Sequence, residues 1–474
     1  MKLKNLIIDG YKVYGNLETE ISSISFSSKN VKKNSLFVCL KGENFDGHNF
    51  VEEAIKQGAS AILTERKLDF AIPQIVCKNS RKGFAEICAR FYGEPQKKLK
   101  LIGITGTNGK TTTSHIIKKI LETAGKKVGL IGTQGSRIGN RKIRTNLTTP
   151  DPDELFLTLK KMADKNVEYV VMEVSAHALA LNKIYGLCFE IGILTNITED
   201  HLDFFKNMQA YEDAKISFFN SNFIKSAVVN IDDEKIRKNL NKINVPIVTY
   251  GLKNPSDVFA LDIVKSLDGT SFVVNYFDNV ISLQTCLVGE FNVYNILAGI
   301  CACALLGVYG NPTIQAFKKI VLPLGRFNVF NLKDDLCVVI DYAHTPDGMK
   351  NVLKTIKEVD NRKLICVFGC GGNREQQKRA IMGEIAENFA DFVVLTNDNP
   401  RFEVPEKIIA DIESGMKKTN HICIADRKEA TKYALKISGG EAIIALLGKG
   451  DETMQEINGE KYPYNDFEEI KNSL

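Results

Sequence analysis

The chain has 474 residues, 44% of them hydrophobic, which is enough for two to four domains with buried cores of their own. Its 62 basic and 57 acidic side chains leave a formal net charge of +5 with no long block of either sign, so charge gives no support to nucleic-acid or membrane-surface binding. Eleven scattered cysteines without CxxC pairs or a Cys/His zinc spacing argue against a disulfide framework or a zinc site, and point to a reducing cytoplasm.

The opening MKLKNLIIDGYKVYG meets charge too early for a signal-peptide core, and the longest apolar stretch, ILAGICACALLGVYG, falls short of the ~20 residues that span a bilayer. No transmembrane segment is expected. Within residues 1–98, SLFVCLKGENFDGHNFVEEAIKQGASAILTE passes from a β-rich run through a Gly/Asp turn into an amphipathic helix and a further strand, which predicts a small α/β domain. YGEPQKKLK then has the composition of a linker.

Residues 99–324 alternate strand-like runs (LIGIT, VGLIGT, YVVMEVS, IGILTNI, SAVVNID, PIVTYG) with helical spacing, the pattern of a mainly parallel sheet covered on both faces. Residues 325–474 begin a second alternation with LCVVIDYA, KLICVFGC, DFVVLTND, HICIAD and AIIALLGKG, which predicts a Rossmann-like domain. The fold class expected is therefore α/β in three domains, the central one a P-loop ATPase-type parallel sheet.

The stretch GITGTNGKTTT, residues 103–113, joins the first central strand to a helix. The G-x-x-x-x-G-K-[ST] spacing would need glycine where Ile104 stands, but the shorter G-x-x-G-K-[TS] still closes over phosphates. Gly106 and Gly109 let the backbone of Thr107 and Asn108 approach phosphate oxygens, Lys110 supplies charge, Thr111 offers a hydroxyl to Mg²⁺, and Thr112 continues the helix N-terminus that favours the anion. Two more strand ends offer metal ligands: Glu173 closes YVVME, and His201 sits in the polar turn TNITEDHLDFF.

GTNGKTT, MEVSAHAL, TNITEDHLDFF, YEDAKISFF, GEFNVYNILAGICA, Gly325-Arg326, DYAHTPDGM, VFGCGGNREQQKR, TNDNPRFE and GKGDE stand in the order found in Mur ligases, and the chain is identified from them as resembling that family over nearly its whole length. The resemblance implies a domain for the UDP end of the substrate, a central ATPase domain and a C-terminal domain for the incoming amino acid. It implies amide formation through an acyl phosphate, with ATP as co-substrate, Mg²⁺ held by Thr111, Glu173, His201 and Lys215, and Lys215 carbamylated by CO₂. Asn295, Arg326, Asp341 and His344 match positions around the nucleotide; His344 has the alternative of capping the helix that starts near Pro346. Ser28, Asn146, Thr148, Thr149, Ser175 and Lys183 match the UDP-muramoyl dipeptide side. Phe327 and Asn328 replace the Met-Glu usual after Gly-Arg, and Leu181, Lys183 and Ala176 depart from the usual residues of the serine-histidine segment.

The form Asp398-Asn399-Pro400-Arg401 resembles the branch that adds meso-diaminopimelate. Diaminopimelate carries a distal carboxylate that lysine lacks, and a guanidinium grips such a group bidentately, so Arg401 is the expected discriminator. Arg374, Gly448 and Glu452 match other contacts, with Glu452 suited to the distal ammonium. Asp451 stands where histidine is usual, an extra carboxylate beside Glu452 that leaves lanthionine, lysine or another diamino acid open. The rivals are folylpolyglutamate synthase, a D-alanyl-D-alanine-adding Mur ligase and, from another class, a nucleotide-dependent switch or scaffold without ligase activity. A cytoplasmic monomer is expected.

Overall fold

Runs of Val, Ile, Leu and Phe too short for helices, set between amphipathic helical segments, can bury themselves only as strands with helices on both faces. The computed structural model, which describes residues 1–472 apart from 43, 44, 144, 146, 278, 322, 333 and 334, contains three such sheets and one two-stranded ribbon.

The N-terminal sheet has the order Lys12–Tyr14, Gln74–Val76, Ala59–Thr64, Ser35–Val38, Ser23–Ser25, parallel except for the first strand. At the heart of the second sheet lie six parallel strands in the order Ile247–Gly251, Ile224–Asn230, Phe189–Leu194, Lys100–Thr105, Tyr169–Glu173, Val128–Ile131. Both flanks add antiparallel strands to this mainly parallel sheet. A hairpin of Ser136–Ile138 and Arg141–Ile143 extends one side. On the other, Val258–Ser266 continues parallel and is followed by the antiparallel strands Gly269–Tyr276 and Asn279–Thr285, giving eleven strands. The last two alternate buried and less buried residues, the period-two signature of a sheet covered on one face. The C-terminal sheet runs Asn328–Asn331, Cys337–Asp341, Ala442–Leu447, Lys363–Phe368, Phe392–Leu395, His421–Cys423, parallel except for its first strand.

The apolar cores tie these units together unequally. One continuous cluster runs from Leu6, Phe84 and Ile87 into Leu155, Phe156 and Leu159, joining the helix Ser80–Phe91 to the helix Pro152–Ala163 of the central unit. The C-terminal sheet has its own clusters on each face, and the central unit reaches the nearer one chiefly through Val288, Phe291 and Leu267. Where the central and C-terminal sheets meet, the loops after their strands surround a cleft instead. No helix among the described residues is long and apolar enough to cross a membrane.

Candidate active site

The cleft holds about 670 Å³ and is built where carboxyl-end loops of both sheets face each other. The strand Lys100–Thr105 delivers the phosphate loop to one wall, and the helix Lys110–Thr123 leaves from it. Glycine is required at two points of that loop. Gly106 has φ 144° and a Cβ there would lie 1.9 Å from Thr195 Oγ1; Gly109 has φ 87° and a Cβ would lie 2.3 Å from Asn295 Oδ1. Lys110 Nζ donates to the carbonyls of Gly106 (2.9 Å) and Thr107 (2.8 Å), curling over its own loop. Burial lowers its pKa, helped by the Arg326 charge and opposed by Glu173 and Asp200.

The next loop buttresses this one. Asn196 Oδ1 accepts from Asn108 N at 2.8 Å, and Thr195 Oγ1 donates to Asn108 O at 2.6 Å. Thr107 Oγ1 donates to Thr198 O at 2.9 Å. Asn295, on the helix Glu290–Leu305, accepts from Thr113 Oγ1 at 3.3 Å and so backs the start of the loop's helix.

Glu173 is almost fully buried at the end of its strand. Its Oε2 accepts from Thr111 Oγ1 (3.1 Å) and Thr133 Oγ1 (3.0 Å), and its Oε1 from Thr133 N (3.1 Å). A carboxylate beside a hydroxyl at the foot of a phosphate loop is an oxygen donor set suited to Mg²⁺, which keeps few protein ligands and completes its shell with water and phosphate. Among the described residues no three His, Cys, Asp or Glu side chains converge into a larger cage. His201 adopts a left-handed backbone (φ 58°), with Nε2 3.3 Å from Asp200 Oδ2 and its ring edge-on to His177. Burial depresses its pKa, opposed by the neighbouring Asp200 carboxylate. Lys215, on the helix Met208–Ile216, is buried behind the cleft, its Nζ 4.4 Å from the centre of the Tyr211 ring. Burial drives its pKa well down, the Lys110 charge adds to this, and Asp200 opposes it.

The C-terminal unit supplies the opposite wall. Arg326 donates to Thr111 Oγ1 at 3.3 Å and lies over the Tyr342 ring at 4.7 Å, while its Nε is buried without a hydrogen-bond partner among the described residues. Asp341 accepts from the backbone of Phe327 and Ala343, both at 2.7 Å, so the carboxylate also braces the connection between the units. His344 lines the cleft with Nδ1 2.8 Å from Tyr342 O; the cap of the helix Pro346–Val359 is Thr345, which corrects the capping alternative for His344. Asn108 Nδ2 donates to Asp347 Oδ2 at 2.9 Å across the cleft.

At the far end, Asp398, Asn399, Arg401, Gly448, Glu452 and Arg374 face the same space, with Pro400 behind them. Arg401 has φ 51°; it donates to Gly372 O at 2.7 Å and stands 3.3 Å from Glu456. Glu452 Oε2 accepts from Asn399 Nδ2 (2.8 Å) and from the fully buried Lys449 (2.9 Å). The expectation that Asp451 adds a second carboxylate beside Glu452 is corrected: it does not line the cleft, and its Oδ2 accepts from Gln134 Nε2 of the central unit at 3.0 Å.

Of the residues expected on the UDP side, Thr148 and Ser175 line the cleft. Thr149 lies behind them, donating to Glu173 O at 2.9 Å and accepting from Ser175 N at 3.0 Å. Ser28 and Lys183 do not line it; Lys183 pairs with Asp151 at 2.8 Å. Asn146 lies outside the described residues. Sequence reading missed Thr133, Asn196, Asp347 and Lys449 as supports of the site, although the last three sit inside motifs it quoted.

Three family descriptions match in chain order: Mur ligase family, catalytic domain, over residues 20–92; Mur ligase middle domain over 104–303; and Mur ligase, glutamate ligase domain, over 325–450. A UDP-N-acetylmuramoyl-L-alanyl-D-glutamate--2,6-diaminopimelate ligase of Bacillus cereus is 40% identical over 483 residues, covering 100% of this chain and 98% of its own. The chain belongs to the Mur ligase family. A ligase of the same name from Clostridium tetani is 41% identical, with 99% of each chain covered. A solved structure of a UDP-N-acetylmuramoyl-L-alanyl-D-glutamate--2,6-diaminopimelate ligase superposes with a TM-score of 0.69 at 30% identity, covering 100% of this chain and 98% of the other.

Proposed function

We propose that this Mur ligase joins meso-diaminopimelate to UDP-N-acetylmuramoyl-L-alanyl-D-glutamate, with ATP as the driving co-substrate, in peptidoglycan precursor synthesis. The observation that carries the reading is that the phosphate loop and the Asp398–Arg401 loop open onto one cleft. A free carboxylate does not yield an amide, because oxide is too poor a leaving group. The carboxylate oxygen of the dipeptide attacks the γ-phosphorus, an O–P bond forms and ADP leaves. The neutral amine of diaminopimelate then attacks the acyl carbon, and phosphate departs with one of the amine's protons as the amide forms.

For these steps the chain has to position and neutralise charge. In this reading the ATP phosphates rest on Gly106 to Thr112 with Lys110 against the β/γ oxygens and Arg326 closing from the other wall. Asn295, Asp341 and His344 surround the nucleoside. Thr111, Glu173 and His201, with a carbamylated Lys215, would hold Mg²⁺, which would neutralise phosphate charge when bound. A carbamate forms when a neutral Nζ bonds to CO₂ and releases one proton; the buried, depressed amine of Lys215 supports it. Thr148, Thr149, Ser175, Ser28, Lys183 and Asn146 serve the UDP-muramoyl dipeptide. Arg401 takes the distal carboxylate of diaminopimelate and Glu452 its distal ammonium, with Arg374, Asp398, Asn399, Pro400 and Gly448 shaping the pocket. The enzyme works in the cytoplasm as a single chain.

The test is phosphate release with ATP, the UDP-muramoyl dipeptide and a panel of meso-diaminopimelate, L-lysine and lanthionine. Release that responds to diaminopimelate above the others supports the reading; a preference for lysine or lanthionine moves the substrate, and no response to any of them removes the ligase. For the carbamate, Lys215→Ala is inactive and partly rescued by short carboxylic acids, whereas a mass spectrum of active enzyme with only unmodified Lys215 rejects it.

A further inference from the structure

We infer that Gln134 and Asp451 form a latch between the central and C-terminal units, and that Gln134 is a positioning residue coupling the nucleotide end of the cleft to its amino-acid end. The functional consequence rests on the ligase reading above. Gln134 Nε2 donates to Asp451 Oδ2 and to Leu324 O, both at 3.0 Å, so one amide bridges three pieces of chain: the turn after Val128–Ile131, the connection ahead of Arg326, and the loop that carries Glu452. Its neighbour Thr133 holds both oxygens of Glu173. On the opposite side Gly325 is packed so closely on the Glu452 loop that a Cβ would lie 2.3 Å from Asp451 N and 2.5 Å from Gly450 C. Arg326 follows directly, bonded to Thr111.

This geometry exists only when the C-terminal unit is seated on the central one. An amide donating to a carboxylate and a carbonyl makes two bonds that are lost together when the cleft opens. ATP touches the phosphate loop on one unit and Asp341 and His344 on the other, while diaminopimelate bound at Glu452 must meet an acyl phosphate held by the central unit. Both ligands therefore favour the seated state, and loss of the latch lowers the apparent affinity for each by the same factor.

The test compares Gln134→Ala, Asp451→Ala, the double variant and Asp451→Asn, whose amide oxygen still accepts. A hydrogen bond to a charged group corresponds to about a tenfold change, so KM for ATP and KM for meso-diaminopimelate should each rise ~10-fold in Asp451→Ala and by at least as much in Gln134→Ala, which also loses the bond to Leu324 O. The double variant should be no worse than Gln134→Ala, which already loses both bonds, and Asp451→Asn, which keeps an acceptor without the charge, should fall between the parent and Asp451→Ala. A rise confined to diaminopimelate makes Asp451 a local pocket residue, and additive effects mean the two do not act as a pair; either overturns the latch. Small-angle scattering with a non-hydrolysable ATP analogue provides a readout independent of turnover. The parent should become more compact and Gln134→Ala less so, while equal radii of gyration overturn the proposal. A parent that contracts yet releases no phosphate with any diamino acid would reject the ligase reading and leave the latch standing.

Discussion

The central unit meets its two neighbours in opposite ways. Toward the N-terminal unit it presents Leu155, Phe156 and Leu159, which merge with Phe84, Ile87 and Cys88 into one core. Toward the C-terminal unit the apolar contact is confined to a small patch of Val288, Phe291 and Leu267, and the cleft itself is spanned by polar contacts: Asn108 to Asp347, Arg326 to Thr111, Gln134 to Asp451, Leu202 N to Glu375. Separating an apolar seam exposes hydrocarbon to water at ~25 cal/mol per Å² over its whole area, whereas each hydrogen bond across a wet cleft exchanges for water at a net cost of only about 1 kcal/mol, somewhat more where a partner is charged. The first junction is a fixed scaffold and the second is one that ligands can load.

The largest expected effect falls on the seam. Phe156→Ala should cost about 3–5 kcal/mol, read as a lower melting temperature, with KM for ATP unchanged in the folded protein. An unshifted melting curve would break the contrast. At the cleft the effect should reverse: Lys110→Ala or Glu173→Ala should slow phosphate release by ~10²–10³ while circular dichroism reports a retained fold. Near-parental turnover in either would remove the phosphate site. Arg401→Ala should reduce the kcat/KM ratio of meso-diaminopimelate over L-lysine by at least ~10-fold, through the diaminopimelate value, as expected when a buried charge loses its partner. An equal fall for both amino acids would make Arg401 a support of the loop. The smallest effect concerns His115, on the helix behind the phosphate loop, whose pKa burial pulls down to about 3 with Arg137, Lys118 and Arg326 adding to it. Its folded value lies below the unfolded ~6.5, so its contribution is present above that pH and is lost as pH falls toward 3. His115→Gln should flatten the stability–pH slope in that window by roughly one proton in denaturant titrations.

The phosphate loop was legible because its chemistry is local: two glycines, a lysine and a hydroxyl within seven residues that end a strand and open a helix. Glu173 was legible as the last residue of an apolar run. The flanking antiparallel strands were overlooked even though Gly269–Tyr276 alternates at period two, since reading for continuous apolar runs favours strands covered on both faces. Asp451 was misplaced for another reason. A neighbour in sequence, Glu452, sets an expectation about a shared pocket, but the two side chains leave a tight turn in different directions, and the acceptor's partner, Gln134, is 317 positions away. Nothing in a local window encodes such a pairing. Lys215 has the spacing of an ordinary helical lysine and stands out in the sequence only through the family resemblance; its burial beside Tyr211 is visible only in the fold.

The strand that carries the phosphate loop is the first of the central sheet to be synthesised and lies near its middle in space, between Tyr169–Glu173 and Phe189–Leu194. During translation it cannot acquire both neighbours until residue 194 has left the ribosome, and Asn108 cannot meet Asp347 until the C-terminal unit's strands Asn328–Asn331 and Cys337–Asp341 have followed. Non-local pairing of this kind folds late. The Lys100–Thr105 strand therefore has unpaired edges while the rest of its sheet is still being made, and an unpaired strand edge is open to pairing with another chain.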